Sequence, residues 1–367
     1  QDPACVYLLG ELYDELLPHF SSRMFNVGCD ETWELCKGRS KAEAEERGVG
    51  RVYLDFLLKI HRLCQRHDRT MQFWGDIIVN HPELISELPP GIIALEWGYE
   101  ANHPFAEDTR RFAEAGVPFY VCPGTSSWNS LAGRTDNAIS NLLSAAEAGL
   151  SNGAIGYLIT DWGDHGFWQT LPVSYPGFAF GAAVAWSSAA NREIDLPRAL
   201  DLFVFEDAAE IMGRLVCDLG NTYRQYEEQN RNMNSLWLMV ANPLWSRATE
   251  TLEWITGDDF DRCLAYIDEV MAALPEAQMV RHDAILIGEE LQNNAALLRH
   301  ACRLGKARLA AESHAIKAIP EATRRELADE LESILTEHKR IWLLRNRPGG
   351  LAESAARFEY TLRLYRA

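Results

Sequence analysis

Two adjacent carboxylic acids, Asp30 and Glu31, are the residues whose types and position most directly suggest chemistry in this sequence. They follow the short apolar run FNVG (25–28) and precede Thr32 and Trp33. Adjacent acids usually mark a solvated loop or a helix N-terminus, where the helix dipole favours negative charge. At the end of a strand, however, like-charge repulsion and partial burial raise the pKa of one carboxyl toward neutrality. A protonated carboxyl beside an ionised one can serve as a general acid.

Tryptophans recur at comparable positions along the first half of the chain. Four of them come at or just after a predicted strand end: Trp74, Trp97, Trp128 and Trp162. A single tryptophan is most often a core residue, but four at one edge of a sheet predict flat apolar walls of the kind that sugar rings prefer. Polar side chains available to bind sugar hydroxyls stand near them: Asp76, Tyr99, Asp161 and Asp164. We therefore expect a carbohydrate ligand.

The adjacency of the two acids selects among hydrolytic mechanisms. In most glycosidases two carboxyl groups flank the scissile bond, about 5–5.5 Å apart in retaining enzymes and about 6.5–9.5 Å apart in inverting ones. Neighbours in sequence cannot readily straddle the bond. They suit a scheme in which one acid protonates the leaving oxygen and the other supports a nucleophile that belongs to the substrate, such as a 2-acetamido carbonyl.

The elements that must position these residues alternate between strands and helices. Short apolar runs predict five strands, at 24–29, 71–74, 92–97, 119–122 and 155–160. Helical stretches separate them, which is typical of a parallel sheet. The acidic and aromatic residues named above follow the C-terminal ends of these runs, and the sequence contains no glycine-rich phosphate loop. This pattern favours a (β/α)8 TIM-type barrel over a doubly wound sheet. With about five βα units, the predicted barrel is incomplete in this chain.

The second half of the chain shows a different pattern of apolar residues. From about Asp195 the strand pattern disappears, and amphipathic stretches predict helices only. We therefore expect two domains: the C-terminal part of a (β/α) barrel catalytic domain over residues 1–192, and an α-helical C-terminal domain over residues 193–367.

Composition excludes several classes of partner. The 367 residues carry a formal net charge of −18, which disfavours nucleic acids and anionic membranes. No apolar run approaches the roughly 20 residues that cross a bilayer. The eight cysteines are scattered without CxxC pairs, which favours reduced thiols and a cytoplasmic protein. We predict no cofactor and no metal, because the cluster of Asp161, Asp164 and His165 lacks a second nearby His or Cys.

The chain resembles glycoside hydrolase family 20, the β-N-acetylhexosaminidases, over about residues 6–190. Five motifs in order carry the resemblance: FNVGCDETW (25–33), FWGD (73–76), LEWGYE (95–100), CPGTSSWNS (122–130) and TDWGDHG (160–166). The resemblance implies an exo-acting β-N-acetylhexosaminidase that releases terminal N-acetylglucosamine or N-acetylgalactosamine by retaining, substrate-assisted hydrolysis.

The resemblance also implies roles for individual residues. Asp30 would orient the acetamido group while its oxygen attacks the anomeric carbon, and Glu31 would act as the acid and then as the base. Three tryptophans would surround the N-acetyl group and the sugar face: Trp74, Trp97 and Trp162. Asp164 stands where the family usually has a Glu that grips the O4 and O6 hydroxyls. Trp128 lies where the family has a tyrosine for the acetamido oxygen, and that role is left unassigned.

Two features of the chain depart from the family. Family barrels have three βα units before the acid-bearing strand, one of which carries an arginine that holds the sugar, whereas this chain starts one helix before it. Because open sheet edges aggregate unless they are covered, we expect either a missing N-terminal segment or a homodimer to complete the sheet. Two functions stay open: hydrolysis of an amino-sugar glycoside, or a carbohydrate-binding or assembly protein that is catalytically weak or silent.

Overall fold

The structure is a computed structural model that describes residues 2–367. It divides into two compact units. Within the described residues, unit 1 comprises residues 2–98, Asn102–Pro123 and Leu143–Leu158, and unit 2 comprises Tyr99–Ala101, Gly124–Leu142 and Ile159–Ala367. The predicted domain boundary after residue 192 is not tested by this division and stays a prediction.

Unit 1 is built on a five-stranded parallel sheet in which the strands are neighbours in the order of the sequence. The strands are β1 Met24–Asn26, β2 Thr70–Trp74, β3 Ile93–Trp97, β4 Phe119–Cys122 and β5 Gly156–Tyr157. Each strand overlaps one of the five predicted apolar runs. In the register, Trp74 pairs with Leu95 and Trp97 pairs with Cys122, so the C-terminal ends of the three central strands reach one edge of the sheet.

The predicted (β/α)8 TIM-type barrel is wrong for this chain. The five parallel strands form a single sheet, and within residues 2–367 β1 and β5 each pair with one strand only. A closed barrel of this kind requires eight strands with matched tilt and stagger, so five strands in sequential order leave an open sheet. A helical C-terminal region follows the sheet in the sequence.

Helices connect the strands of unit 1. They are α1 Pro3–Leu16, α2 Lys41–Arg47, α3 Val49–Arg66, α4 Pro82–Ile85 and α5 Phe105–Glu114, and α6 Thr135–Asn152 begins in unit 2 and ends in unit 1. Helix α3 shows why such a segment folds as it does, because Leu54, Leu57 and Ile60 recur at three-residue spacing and all three are buried. The opposite face of α3 carries charged residues.

The alternation of side chains along the strands divides unit 1 into two apolar clusters. Met71, Phe73 and Val121 point to the larger cluster, which contains the buried faces of the helices. Trp74 and Cys122, each one residue further along, point to a smaller cluster on the other face of the sheet. Because successive side chains of a strand face opposite sides, a single strand supplies both clusters.

Unit 2 is helical in its long C-terminal part. Its helices are α7 Leu171–Asn191, α8 Leu196–Leu200, α9 Met212–Leu219, α10 Ser235–Ala241, α11 Ser246–Glu250, α12 Gly257–Met271, α13 Ala284–Ala310, α14 Glu321–Arg345 and α15 Leu351–Arg366. Helix α12 begins with a capping box in which the Thr256 hydroxyl accepts from the Asp259 N–H and the Asp259 carboxylate accepts from the Thr256 N–H. Among the described residues, none of the helices combines the length and apolar character that a membrane crossing requires.

The helix-side core of unit 1 should depend strongly on Phe73, which is 0% exposed. Replacing Phe73 by Ala leaves a cavity that the surrounding strands and helices cannot fill, and we expect it to lower the free energy of unfolding by about 3–5 kcal/mol. Urea unfolding monitored by circular dichroism measures the change. The matched control is Phe20→Ala, because the Phe20 side chain is 57% exposed. Equal losses from the two variants would contradict the assignment of Phe73 to the core.

Candidate active site

The nine residues predicted to form the site fall into two groups, one in each unit. Unit 1 contains five of them: Asp30, Glu31, Trp74, Asp76 and Trp97. Unit 2 contains the other four: Tyr99, Trp128, Trp162 and Asp164. Each group is therefore described within its own unit, and the assignment of all nine to one sugar site stays a prediction.

The segment after β1 leaves the sheet through a run of left-handed backbone. Gly28 still belongs to the sheet pattern, because its C=O accepts from the Trp74 N–H at 3.0 Å. The φ angles of Gly28, Cys29 and Glu31 are then 75°, 75° and 44°, a region in which only glycine is unstrained. The turn is held by the Tyr53 hydroxyl, which donates to the Cys29 C=O at 3.0 Å.

This turn separates the two adjacent acids. Asp30 is half-buried, whereas Glu31 is exposed. The backbone of Glu31 is nonetheless well fixed: its N–H donates to the Oδ2 of Asp76 at 3.1 Å, and its C=O accepts from the Trp33 N–H at 2.7 Å. The backbone of the acid pair is thus tied to a third carboxylate that follows the neighbouring strand.

Asp76 is the carboxyl group at this edge that the structure places in the most unusual environment. Gly75 connects it to β2 and donates its N–H to the Leu95 C=O at 2.8 Å, which keeps the start of the loop against the sheet. Burial raises the pKa of Asp76 from its ordinary 3.8 to about 6. The Glu31 N–H and the Trp97 side chain lower it in part by hydrogen bonding, and the negative charge of Asp30 raises it further.

The carboxyl for which the structure shows a raised pKa at this strand edge is Asp76. Sequence reasoning treated Asp76 only as a ligand for sugar hydroxyls, because its proximity to the Glu31 backbone depends on how β1 and β2 pair. With a pKa of about 6, Asp76 populates both protonation states near neutral pH. A group of this kind can donate a proton in one step of a reaction and accept it in the next.

Aromatic side chains of unit 1 cover the face of the sheet that is turned away from its helices. Trp74 is buried and Trp97 is half-buried, and both pack in the small cluster with Ile93 and Leu95. Tyr120 of β4 joins the same cluster. Three aromatic rings from successive strands therefore line this face.

Tyr120 is a candidate site residue that sequence reasoning did not assign. Two signals in the sequence could have found it: the alternation with the buried Val121, which places Tyr120 on the Trp97 side, and the glycine at position 156. A Cβ atom at Gly156 would stand 2.6 Å from the Tyr120 ring, so only glycine leaves room for it in the adjacent strand.

The aromatic residues of unit 2 form a chain of direct contacts. The indole N–H of Trp162 donates to the Tyr99 hydroxyl at 2.8 Å, and the Tyr99 ring meets Trp128 edge to face with 4.9 Å between centroids. The Trp128 indole N–H donates to the Oδ1 of Asn232 at 3.0 Å. Trp128 is 2% exposed and Trp162 is 36% exposed, so Trp162 is the ring with surface to offer to a ligand.

The two acids of the TDWGDHG motif have different surroundings. Asp161 accepts from the hydroxyls of Thr125, Ser127 and Ser174, so it anchors the segment after residue 124 and has little capacity left for a sugar. Asp164 is exposed, and its carboxylate accepts a long hydrogen bond from Asn129, at 3.4 Å. Of the two, Asp164 is the acid that remains accessible to a ligand.

Comparison with known proteins assigns no family to the chain. No family model matches it, and no curated protein matches it. A similar solved structure is that of a GH138 enzyme targeting pectin rhamnogalacturonan II, with a TM-score of 0.45 and 11% sequence identity over 84% of this chain. The chain spans about half the length of that protein, 46%.

These findings correct the resemblance to glycoside hydrolase family 20. No model of that family or of any other matches the chain. The motifs that suggested the resemblance are short strand-end segments. Acids, tryptophans and glycines at such ends reflect requirements of the sheet and of polar chemistry, and they do not identify a family.

The pKa of Asp76 should make the stability of the chain depend on pH. Its folded value of about 6 lies above the ordinary 3.8, so the native state binds the proton more tightly. The contribution of Asp76 to the free energy of unfolding is therefore complete below about pH 4 and lost as the pH rises through 6. We expect Asp76→Asn to reduce this loss in urea unfolding experiments across the pH range.

The matched control for this experiment is Glu34→Gln, which removes an exposed carboxylate from the same region. Glu34→Gln should retain the pH dependence of the unmodified chain. An unchanged slope in Asp76→Asn would contradict the raised pKa.

Proposed function

We propose that the chain is a glycoside hydrolase whose proton-transfer group is Asp76 and whose sugar ligand binds the aromatic face of unit 1. The observation that carries the proposal is the half-buried Asp76 carboxyl at the C-terminal edge of the sheet, where its Oδ2 accepts from the Glu31 N–H and burial raises its pKa to about 6. Hydrolysis of a glycosidic bond requires a group that protonates the leaving oxygen near neutral pH, and ordinary exposed carboxyls are fully ionised there.

The surroundings of Asp76 support this role. Trp97 interacts directly with the Asp76 carboxyl, and it packs in the same cluster as Trp74 and Tyr120. A sugar ring stacked on Trp97 or Tyr120, which are half-buried whereas Trp74 is buried, would bring its glycosidic oxygen near the acid. Asp30 supplies a second carboxylate close enough to raise the pKa of Asp76. A paired acid and carboxylate beside an apolar surface is the arrangement that glycoside hydrolysis needs.

The finer proposal is that the substrate is a terminal N-acetylhexosaminide and that its own acetamido oxygen acts as the nucleophile. Asp30 lies near enough to Asp76 for its charge to raise the pKa of that group, which supports a role for Asp30 beside the proton donor, where it can assist a nucleophile that belongs to the substrate. In this scheme Asp30 supports the acetamido group. Glu31 is exposed and Asp76 is half-buried, which supports Asp76 as the proton donor.

The assignment of the acid can be tested with a series of aryl glycosides whose phenol leaving groups differ in acidity. Loss of a general acid slows the release of poor leaving groups most. We therefore expect Asp76→Asn to lower kcat about 100- to 10,000-fold on a phenyl glycoside and much less on a dinitrophenyl glycoside. Glu31→Gln is the competing variant and Glu34→Gln the control. If the leaving-group dependence follows Glu31→Gln instead, Glu31 is the acid and the assignment to Asp76 fails.

The finer proposal requires a comparison of sugars. Aryl N-acetylglucosaminide and N-acetylgalactosaminide should be turned over, whereas the matching glucoside and galactoside, which lack the acetamido group, should not. A thiazoline analogue of the cyclic intermediate should inhibit. Turnover of the plain glycosides alone would retain the glycoside hydrolase and reject the acetamido mechanism. Binding of sugar without any turnover would favour the carbohydrate-binding alternative.

A further inference from the structure

Three side chains of unit 1 converge on the side of the sheet that faces helix α5. Glu96 lies on β3, His103 lies in the loop before α5, and Asp108 lies in the first turn of α5. The Nε2 of His103 stands 3.0 Å from the Oε1 of Glu96 and 4.0 Å from the Oδ2 of Asp108. One donor atom from each residue lies within 4.8 Å of the other two. These are groups of the kinds that bind metal ions.

The carboxylates of this cluster are buried, and one of their oxygens is unsatisfied. Glu96 is 1% exposed, and its Oε2 has no hydrogen-bond partner anywhere in residues 2–367. Asp108 is also buried, and its Oδ1 accepts from the Nη1 of Arg111 at 3.0 Å. Its Oδ2 is turned toward His103. A buried carboxylate oxygen without a partner is costly unless a proton or a cation compensates it.

The charges around Glu96 favour a cation. Arg111 pairs with Asp108 and is shared with the exposed Glu107. The groups whose charges act on Glu96 are His103, Asp108 and Asp76, and the Cys122 thiol lies close enough to sense the charge of Glu96. Burial raises the pKa of Glu96 to about 7, and the charges of Asp108 and Asp76 raise it further, against the hydrogen bond from His103. Near neutral pH a proton therefore competes for a place that a metal ion could take.

The histidine of this cluster is held in place by its own loop. A Cβ atom at Gly98 would stand 2.1–2.3 Å from the ring of His103, so only glycine permits the ring to lie against the backbone there. The Phe105 ring contacts the His103 ring nearly edge on, with 4.4 Å between centroids. The imidazole is thus fixed between the end of β3 and the start of α5 before any ion binds.

We propose that unit 1 binds one divalent transition-metal ion of the zinc class between Glu96, His103 and Asp108. One imidazole nitrogen and two carboxylate oxygens form a donor set that suits Zn²⁺, with ligand distances of about 2.0–2.2 Å. Mg²⁺ and Ca²⁺ prefer oxygen ligands only. Two ligands of one tetrahedral zinc stand about 3.3–3.5 Å apart at those bond lengths, so small rotations of the three side chains would suffice.

The ion would stabilise the edge that carries the aromatic face. Glu96 and Trp97 are neighbours on β3 and point to opposite sides of the sheet. An ion that links Glu96 to α5 would fix the C-terminal end of β3 and thereby the position of Trp97. This role is structural and does not depend on whether the chain hydrolyses glycosides.

The proposal is tested by zinc titration of the full chain after dialysis against a chelator, with a chromophoric competitor to measure the affinity. We expect one zinc per chain and a rise in the melting temperature on binding. Glu96→Gln should weaken zinc binding at least tenfold, because it removes the charge but retains the size of the side chain and a carbonyl oxygen for His103. The control is Glu107→Gln, which removes an exposed acid of α5 that also pairs with Arg111 and should leave the affinity unchanged.

Cobalt substitution of the unmodified chain decides the case if Glu96→Gln does not fold. A cobalt spectrum with nitrogen and oxygen ligands and no intense sulfur charge-transfer band supports the site. Three results would overturn the proposal: no stoichiometric zinc binding, zinc binding that persists unchanged in Glu96→Gln, or a cobalt spectrum with thiolate ligands. The last result would place the ion at cysteines, which are free at eight positions.

Discussion

The burial of carboxylic acids at the C-terminal edge of a parallel sheet is the constraint on which the chemistry of unit 1 depends. Asp76 and Glu96 end or follow neighbouring central strands, where the sheet and its helices exclude much of the water. A charged carboxylate is poorly stabilised there, so each group holds its proton more firmly than an exposed acid does. Acids with pKa values of about 6 and about 7 are available for proton transfer or for exchange of the proton against a cation.

The two-residue period of the strands assigns these acids to different tasks. Trp97 faces the aromatic cluster and interacts with Asp76, whereas Glu96, one residue earlier, faces α5 and His103. One face of this strand end therefore carries the aromatic cluster, and the other carries the cluster of Glu96, His103 and Asp108. Gly98 follows this strand end, and only glycine fits there because the His103 ring occupies the space that a side chain at position 98 would take.

Much of unit 1 could be predicted from the sequence, but the barrel could not. The five strands overlap the apolar runs because a buried parallel strand must be apolar over several residues. Closure depends on strand number and stagger, which short apolar runs do not encode, and five sequentially paired strands leave an open sheet. The family resemblance failed for a related reason: its motifs describe strand ends, and strand ends are alike in many folds.

Within the site, local sequence located Asp30 and Glu31 but not their environments, because the left-handed turn through Cys29 leaves Asp30 half-buried and Glu31 exposed. Nothing in the sequence alone placed the Glu31 N–H on the carboxylate of Asp76, 45 residues away.

The same long-range electrostatics link the two faces of the sheet. The charge of Asp76 raises the pKa of Glu96, and since the interaction of two charges is mutual, an ionised Glu96 raises the pKa of Asp76 in turn. A cation bound beside Glu96 would offset that repulsion and favour the ionised form of Asp76.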